Sequence, residues 1–75
     1  MQPYKSTVNS GVLAYDVGDD RIKIKFLDGT IYLYTYQSAG EENVEQMKTL
    51  AQNGRGLTTF INQFVRDQYA IKVNQ

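Results

Sequence analysis

The chain has no cysteine and no histidine among its 75 residues. Without cysteine there is neither a disulfide staple nor a thiolate metal site, which suits a reducing, cytoplasmic setting. Without histidine the chain lacks the commonest general base, the commonest metal ligand and the imidazole of Ser or Cys triads. No apolar run approaches the roughly 20 residues needed to span a bilayer. The opening Met-Gln-Pro-Tyr-Lys-Ser has no apolar stretch and does not read as a secretory signal. Charge of one sign is missing too, since eight basic residues balance eight acidic ones. A strongly electrostatic nucleic-acid or membrane binder carries a lopsided charge, so only a local basic patch fits this neutral total.

Seventy-five residues make one domain. A chain of this size buries only about 60% of its surface, which leaves one modest core and little stability to hold a strained active site. Carboxylates are the remaining candidates for acid–base chemistry, at Asp19-Asp20 and Glu41-Glu42. Adjacent residues point to opposite faces of a strand and diverge by about 100° on a helix, so neither pair converges on one substrate. Asp19-Asp20 reads as turn chemistry, and Glu41-Glu42 as charge complementing a helix N-terminus. Gly54-Arg55-Gly56 lacks the Gly-Lys-Ser/Thr ending of a phosphate loop. The expectation is a non-catalytic chain with no cofactor, no metal and no small-molecule substrate implied.

Residues 1–9 are polar and aperiodic and read as a loose lead-in; residues 10–73 read as the domain. In Val-Leu-Ala-Tyr-Asp-Val, residues 12–17, alternation puts Leu13, Tyr15 and Val17 on one face of a first strand. After a turn at Gly18-Asp19-Asp20, a second strand alternates Ile22, Ile24 and Phe26 with Arg21, Lys23 and Lys25. Asp28-Gly29 signals a hairpin, and residues 30–36 follow as a third strand dense in β-branched and aromatic side chains. Ser38 with Glu41 has capping-box spacing and predicts a helix to about residue 52, with a stripe of Val44, Met47, Leu50 and Ala51. Leu57, Phe60, Ile61, Phe64 and Val65 predict a second amphipathic helix, capped by Gly56 or Thr58. Tyr69, Ile71 and Val73 fit a short fourth strand. The fold class is α+β: a three-stranded antiparallel meander, two helices on one of its faces, and a short C-terminal strand.

The length of one turn decides where the tyrosines point. A two-residue Asp28-Gly29 loop pairs Phe26 with Ile31 and stacks Tyr32, Tyr34 and Tyr36 against Lys25, Lys23 and Arg21 on the open face. A three-residue Leu27-Asp28-Gly29 loop pairs Phe26 with Thr30 and turns Tyr32 and Tyr34 under the helices. A one-residue slip exchanges the whole face, and both loops suit Asp-Gly.

The pattern Leu13-x-Tyr15-Asp16, Ile22-x-Ile24-x-Phe26 and Phe26-x-x-Gly29-x-x-Tyr32-x-Tyr34, with Gly56 before the second helix, resembles the KTSC family. That small domain occurs at the C-terminus of some lysyl-tRNA synthetases and as a free-standing bacterial protein. The likeness covers roughly residues 10–69. It departs at Gln37-Ser38, where Val-Pro is usual, and at Leu57-Thr58-Thr59-Phe60, where a Tyr-Phe-Asn segment is common. The resemblance implies Tyr32 and Tyr34 on the helix side and, through the synthetase connection, RNA as a partner. On that reading Arg21, Lys23, Lys25, Tyr36 and Arg55 form a weak, salt-sensitive RNA-binding set. The other reading is a protein-interaction or homodimer module using the open sheet face.

Overall fold

The computed structural model describes residues 1–4 and 11–74. It is α+β, with one open antiparallel sheet covered by helices on a single face. Five strands lie in sequence order: β1 (Gln2–Pro3), β2 (Val12–Val17), β3 (Arg21–Phe26), β4 (Ile31–Thr35) and β5 (Ile71–Val73). The sheet is therefore wider than the expected meander by a strand at each edge. At one edge the expected C-terminal strand pairs with β4 through Ile31–Val73 and Leu33–Ile71. At the other, Gln2–Pro3 pairs with β2 inside the stretch expected as a loose lead-in. Tyr4, from the same stretch, is buried, and its hydroxyl accepts the Leu57 N–H at 3.3 Å. The remainder of that lead-in, residues 5–9, lies outside the described residues, as does residue 10.

The hairpin takes the three-residue loop. The Phe26 amide donates to the Thr30 carbonyl, and Gly29 N–H donates back to Phe26, both at 2.9 Å. Gly29 has φ of 89°, a left-handed backbone that a Cβ strongly disfavours. Asp28 fixes the turn further by accepting the Thr30 N–H at 2.9 Å, which holds its carboxyl below the usual carboxylate range. The resulting register pairs Ile22 with Tyr34 and Ile24 with Tyr32, so both tyrosines lie on the side of the buried isoleucines. In β2 the alternation breaks at a bulge between Val12 and Ala14. Val12 and Tyr15 are buried there, whereas Leu13 and Val17, expected on one face with Tyr15, are exposed.

The chain leaves the sheet one residue earlier than expected. Thr35, not Ser38, is the N-cap: its hydroxyl accepts the Ser38 N–H while the Ser38 hydroxyl accepts the Thr35 N–H. The short helix α1 (Tyr36–Ala39) ends at Gly40, whose φ of 96° breaks the backbone before α2 (Glu41–Asn53). The expected Ser38–Glu41 capping box is thus replaced by one a turn earlier. Glu41 and Glu42 do occupy the first turn of α2, where the helix dipole favours them.

After a turn at residues 54–56, α3 (Leu57–Phe60) continues as a π-helical segment, Ile61–Val65. The wider turn keeps Leu57, Ile61 and Val65 in line toward the core. It also carries Phe64, expected on the buried stripe, out to 58% exposure against Phe60. The core lies between these helices and the sheet, with Ile22, Ile24, Tyr34, Val44, Met47, Leu57 and Val65 fully buried.

Candidate functional site

Strand alternation combined with the observed register sorts the sequence-predicted residues. Arg21, Lys23 and Lys25 lie together on the open face of β3, because Ile22 and Ile24 take the covered side. Cross-strand neighbours complete two rows. One runs Ala14, Lys25, Ile31, Val73; the other runs Asp16, Lys23, Leu33, Ile71. The open face therefore carries a basic stripe on β3 beside an aliphatic stripe on β4 and β5. Ile71 and Val73 are 53% and 47% exposed, and a shallow depression of about 420 Å³ runs along the junction of the two stripes. Asp16 is its acidic member, directly opposite Lys23. Arg21 has a partner in Asp20 at 3.5 Å, a solvated surface pair worth little.

The other two members of the predicted basic–aromatic set sit elsewhere. Tyr36 opens α1, where its hydroxyl donates to Glu45 at 2.6 Å and the Lys48 ammonium stands 5.6 Å from its ring. The hydrogen bond to Glu45 pushes the Tyr36 phenol up to about 12. Arg55 occupies the exposed turn between α2 and α3, in the layer on the opposite side of the sheet. The structure thus brings Arg21, Lys23 and Lys25 together and joins neither Tyr36 nor Arg55 to them.

The residues that carry the resemblance are mostly architectural in position. Tyr15 is buried and donates to Gln2 at 3.2 Å. Gly29 sets the hairpin, and Gly56, with φ of 80°, is the N-cap of α3. Phe26 and Tyr32 are half-buried and meet edge-on, with ring centroids 5.2 Å apart. Tyr34 is fully buried, and its hydroxyl donates to the Arg66 carbonyl at 3.3 Å, satisfying a group at the end of the π-helical segment. Burial raises its phenol well above the ordinary tyrosine value.

Sequence reasoning missed a second concavity on the helix side. Here Phe26, Tyr32, Tyr34 and Tyr69 line a groove of about 390 Å³ beside Asn62 and Arg66. Tyr32 and Tyr69 pack at 5.0 Å, and Lys72 stands 5.6 Å from the Tyr32 ring. The signal available in the sequence was the pairing of Tyr-x-Tyr with a further tyrosine after the last helix, which helical and strand periodicity treat as unrelated.

Compared with known proteins, the chain matches no family model, no curated sequence and no solved structure. Among the described residues no group of three or more carboxylates is placed to hold a metal ion. No helix there is long and apolar enough to cross a membrane.

Proposed function

We propose that the protein is a non-catalytic interaction module whose open sheet face binds a partner segment with an apolar stripe flanked by acidic residues. The observation that carries this reading is the adjacency of two stripes on a face that no helix among the described residues covers: Arg21, Lys23 and Lys25 beside Ile31, Leu33, Ile71 and Val73. The aliphatic stripe is two strands wide, roughly 10 Å, which matches the diameter of an amphipathic helix. Its basic flank selects an acidic edge on that helix. A second copy of the chain fits less well, because each face brings three cations against Asp16 and two such faces repel.

RNA is the reading carried by the resemblance to the KTSC family. It is weakened by the absence of an aromatic ring on the open face among the described residues, since Tyr32, Tyr34 and Tyr36 all lie off it. Single-strand binding without a stacking platform rests on three phosphate contacts, with a log–log salt slope of only about −2. The non-catalytic reading is supported by the perturbed groups themselves. Asp28, Glu45, Tyr34 and Tyr36 owe their shifts to turn, cap and core contacts.

The test is an amide NMR titration of labelled protein with an acidic amphipathic helical peptide. A mixed single-stranded RNA is titrated in parallel, each at low and at physiological salt. Shifts on Lys23, Leu33 and Ile71 with the peptide, abolished in Leu33→Asp while the spectrum stays folded, support the proposal. Shifts from RNA alone on Arg21, Lys23 and Lys25 that fade with salt would transfer the function to nucleic acid. A mass that rises with concentration and buries Leu33 would transfer it to a homodimer.

A further inference from the structure

The groove on the helix side lies across the sheet from the face just discussed, so its occupant is a separate question. Three partly exposed aromatic rings, Phe26, Tyr32 and Tyr69, line it above the buried Tyr34. Tyr32 packs against Tyr69 at 5.0 Å with planes inclined by 38°, against Tyr34 at 6.2 Å with 44°, and edge-on against Phe26 at 5.2 Å. Inclined rings leave ridges and furrows between them instead of one flat plate, and at about 30 Å³ per molecule the groove holds on the order of a dozen waters. The wall facing the rings comes from Asn62 in the π-helical segment and from Arg66 just after it. Single wide turns of this kind occur often at functional sites, where they re-aim side chains.

The charges around the groove cancel. Asp28 and Asp67 stand against Arg66 and Lys72, two of each sign. A site built for phosphate gathers cations, and a site built for an ammonium ion gathers carboxylates; this groove does neither. What it offers is a mostly polar lining of hydrogen-bond donors interrupted by the exposed parts of three rings. The hydroxyls of Tyr32 and Tyr69 and the amide of Asn62 make no hydrogen bond among the described residues, in contrast to Tyr34, which is spent on the Arg66 carbonyl.

We propose that this groove binds a proline-rich segment in the polyproline II conformation. Such a segment is uncharged, presents pyrrolidine rings that seat against aromatic faces, and has no internal hydrogen bonds, so its carbonyls need donors from the partner. Tyr32, Tyr69 and Phe26 supply the ring contacts. Asn62 and the phenols of Tyr32 and Tyr69 supply donors to the ligand carbonyls. The ligand's fixed φ keeps the ordering cost of binding low, which matters for so small a contact.

The test is a titration of labelled protein with a proline-rich peptide of about ten residues, roughly 31 Å long at 3.1 Å per residue. A glycine–serine peptide of equal length serves as control. The expected result is saturable shifts confined to Tyr32, Asn62, Tyr69 and Lys72, with affinity unchanged between low and physiological salt. Tyr69→Ala is expected to weaken binding by about tenfold or more, and Asn62→Ala, at an exposed position, to weaken it without disturbing the fold. The proposal is overturned if the proline-rich peptide produces no shifts at millimolar concentration. It is equally overturned if the control peptide binds as well, or if both variants bind as the parent does. Displacement of the peptide by single-stranded RNA, with affinity falling as salt rises, would assign the groove to a polyanion instead.

Discussion

The two faces of the sheet are built from alternate residues of the same strands, yet they obey different rules. On the covered face Ile22, Ile24 and Tyr34 have no exposed surface and belong to one core cluster with helix side chains such as Val44 and Met47. On the open face the neighbouring residues Lys23, Leu33 and Ile71 form a row that no helix among the described residues covers. Both faces contain aliphatic side chains, so hydrophobicity alone does not separate structure from function here. What separates them is coverage: the apolar residues of one face are matched by a helix stripe, and those of the other are met by no helix among the described residues and only bordered by Met1. An aliphatic stripe left uncovered beside cations is a surface available to a partner.

That comparison is most exposed to a pair of truncations. Ile22→Ala on the covered face is expected to cost about 3 kcal/mol, most of the stability of so small a domain. Leu33→Ala on the open face is expected to cost under about 1 kcal/mol. Urea unfolding monitored by circular dichroism reads both, and equal losses would mean the open face is covered in solution.

The next effect belongs to the turn that assigns residues to faces. Gly29→Ala forces a side chain into φ of 89° and is expected to lose about 1–2 kcal/mol. Cross-strand amide contacts between Ile24 and Tyr32 should persist in the folded fraction. Their replacement by contacts shifted by one residue would show that the loop, more than core packing, holds the register.

Tyr34→Phe keeps the buried ring but leaves the Arg66 carbonyl without its donor, for an expected loss of about 1 kcal/mol. The same variant sharpens the alkaline behaviour. Tyr34 is raised by burial, and Tyr36 is raised to about 12 by its bond to Glu45. Groups whose folded values are raised contribute stability that is complete below their ordinary value near 10 and is lost as pH climbs through the folded value. Stability should therefore fall through the alkaline range, and less steeply in Tyr34→Phe, as followed by tyrosinate absorbance.

The smallest effect is at acid pH. Asp28 and Glu45 are depressed, by the Thr30 amide and by Lys48 respectively, so their contribution is present above the ordinary carboxylate range and is lost as pH falls through the folded values. Both groups are exposed, and Asp28→Asn, which keeps an acceptor for Thr30, should flatten the acid limb only slightly.

Legibility from the sequence varied with how local the deciding interaction was. The alternation of Arg21 to Phe26 fixed which side chains of β3 share a face, and the structure keeps that assignment. The stripe of α2 was equally readable, because helical spacing placed Val44, Met47 and Ala51 inward. Tyr4 was not readable: a lone aromatic in a polar stretch has no period, and only the approach of Leu57 gives its hydroxyl a role. Phe64 was misplaced because a π-helical turn changes the period partway along a helix. Tyr36 and Arg55 were grouped with the lysines of β3 by residue type, whereas the fold separates them by a helix start and by the thickness of the sheet.

Composition, the period-two run of β3 and the helical stripes are local properties, and they determined by themselves that the chain forms an antiparallel sheet with amphipathic helices after it. Tertiary structure decided the direction of the tyrosines, since two hairpin loops suit Asp-Gly equally and only one pairs Ile22 and Ile24 with rings that the helices can bury. It also decided that the basic stripe borders aliphatic residues from β4 and β5. A strand's neighbours are set by pairing across the sheet, and a side chain's availability by what packs over it; neither is encoded within any one strand.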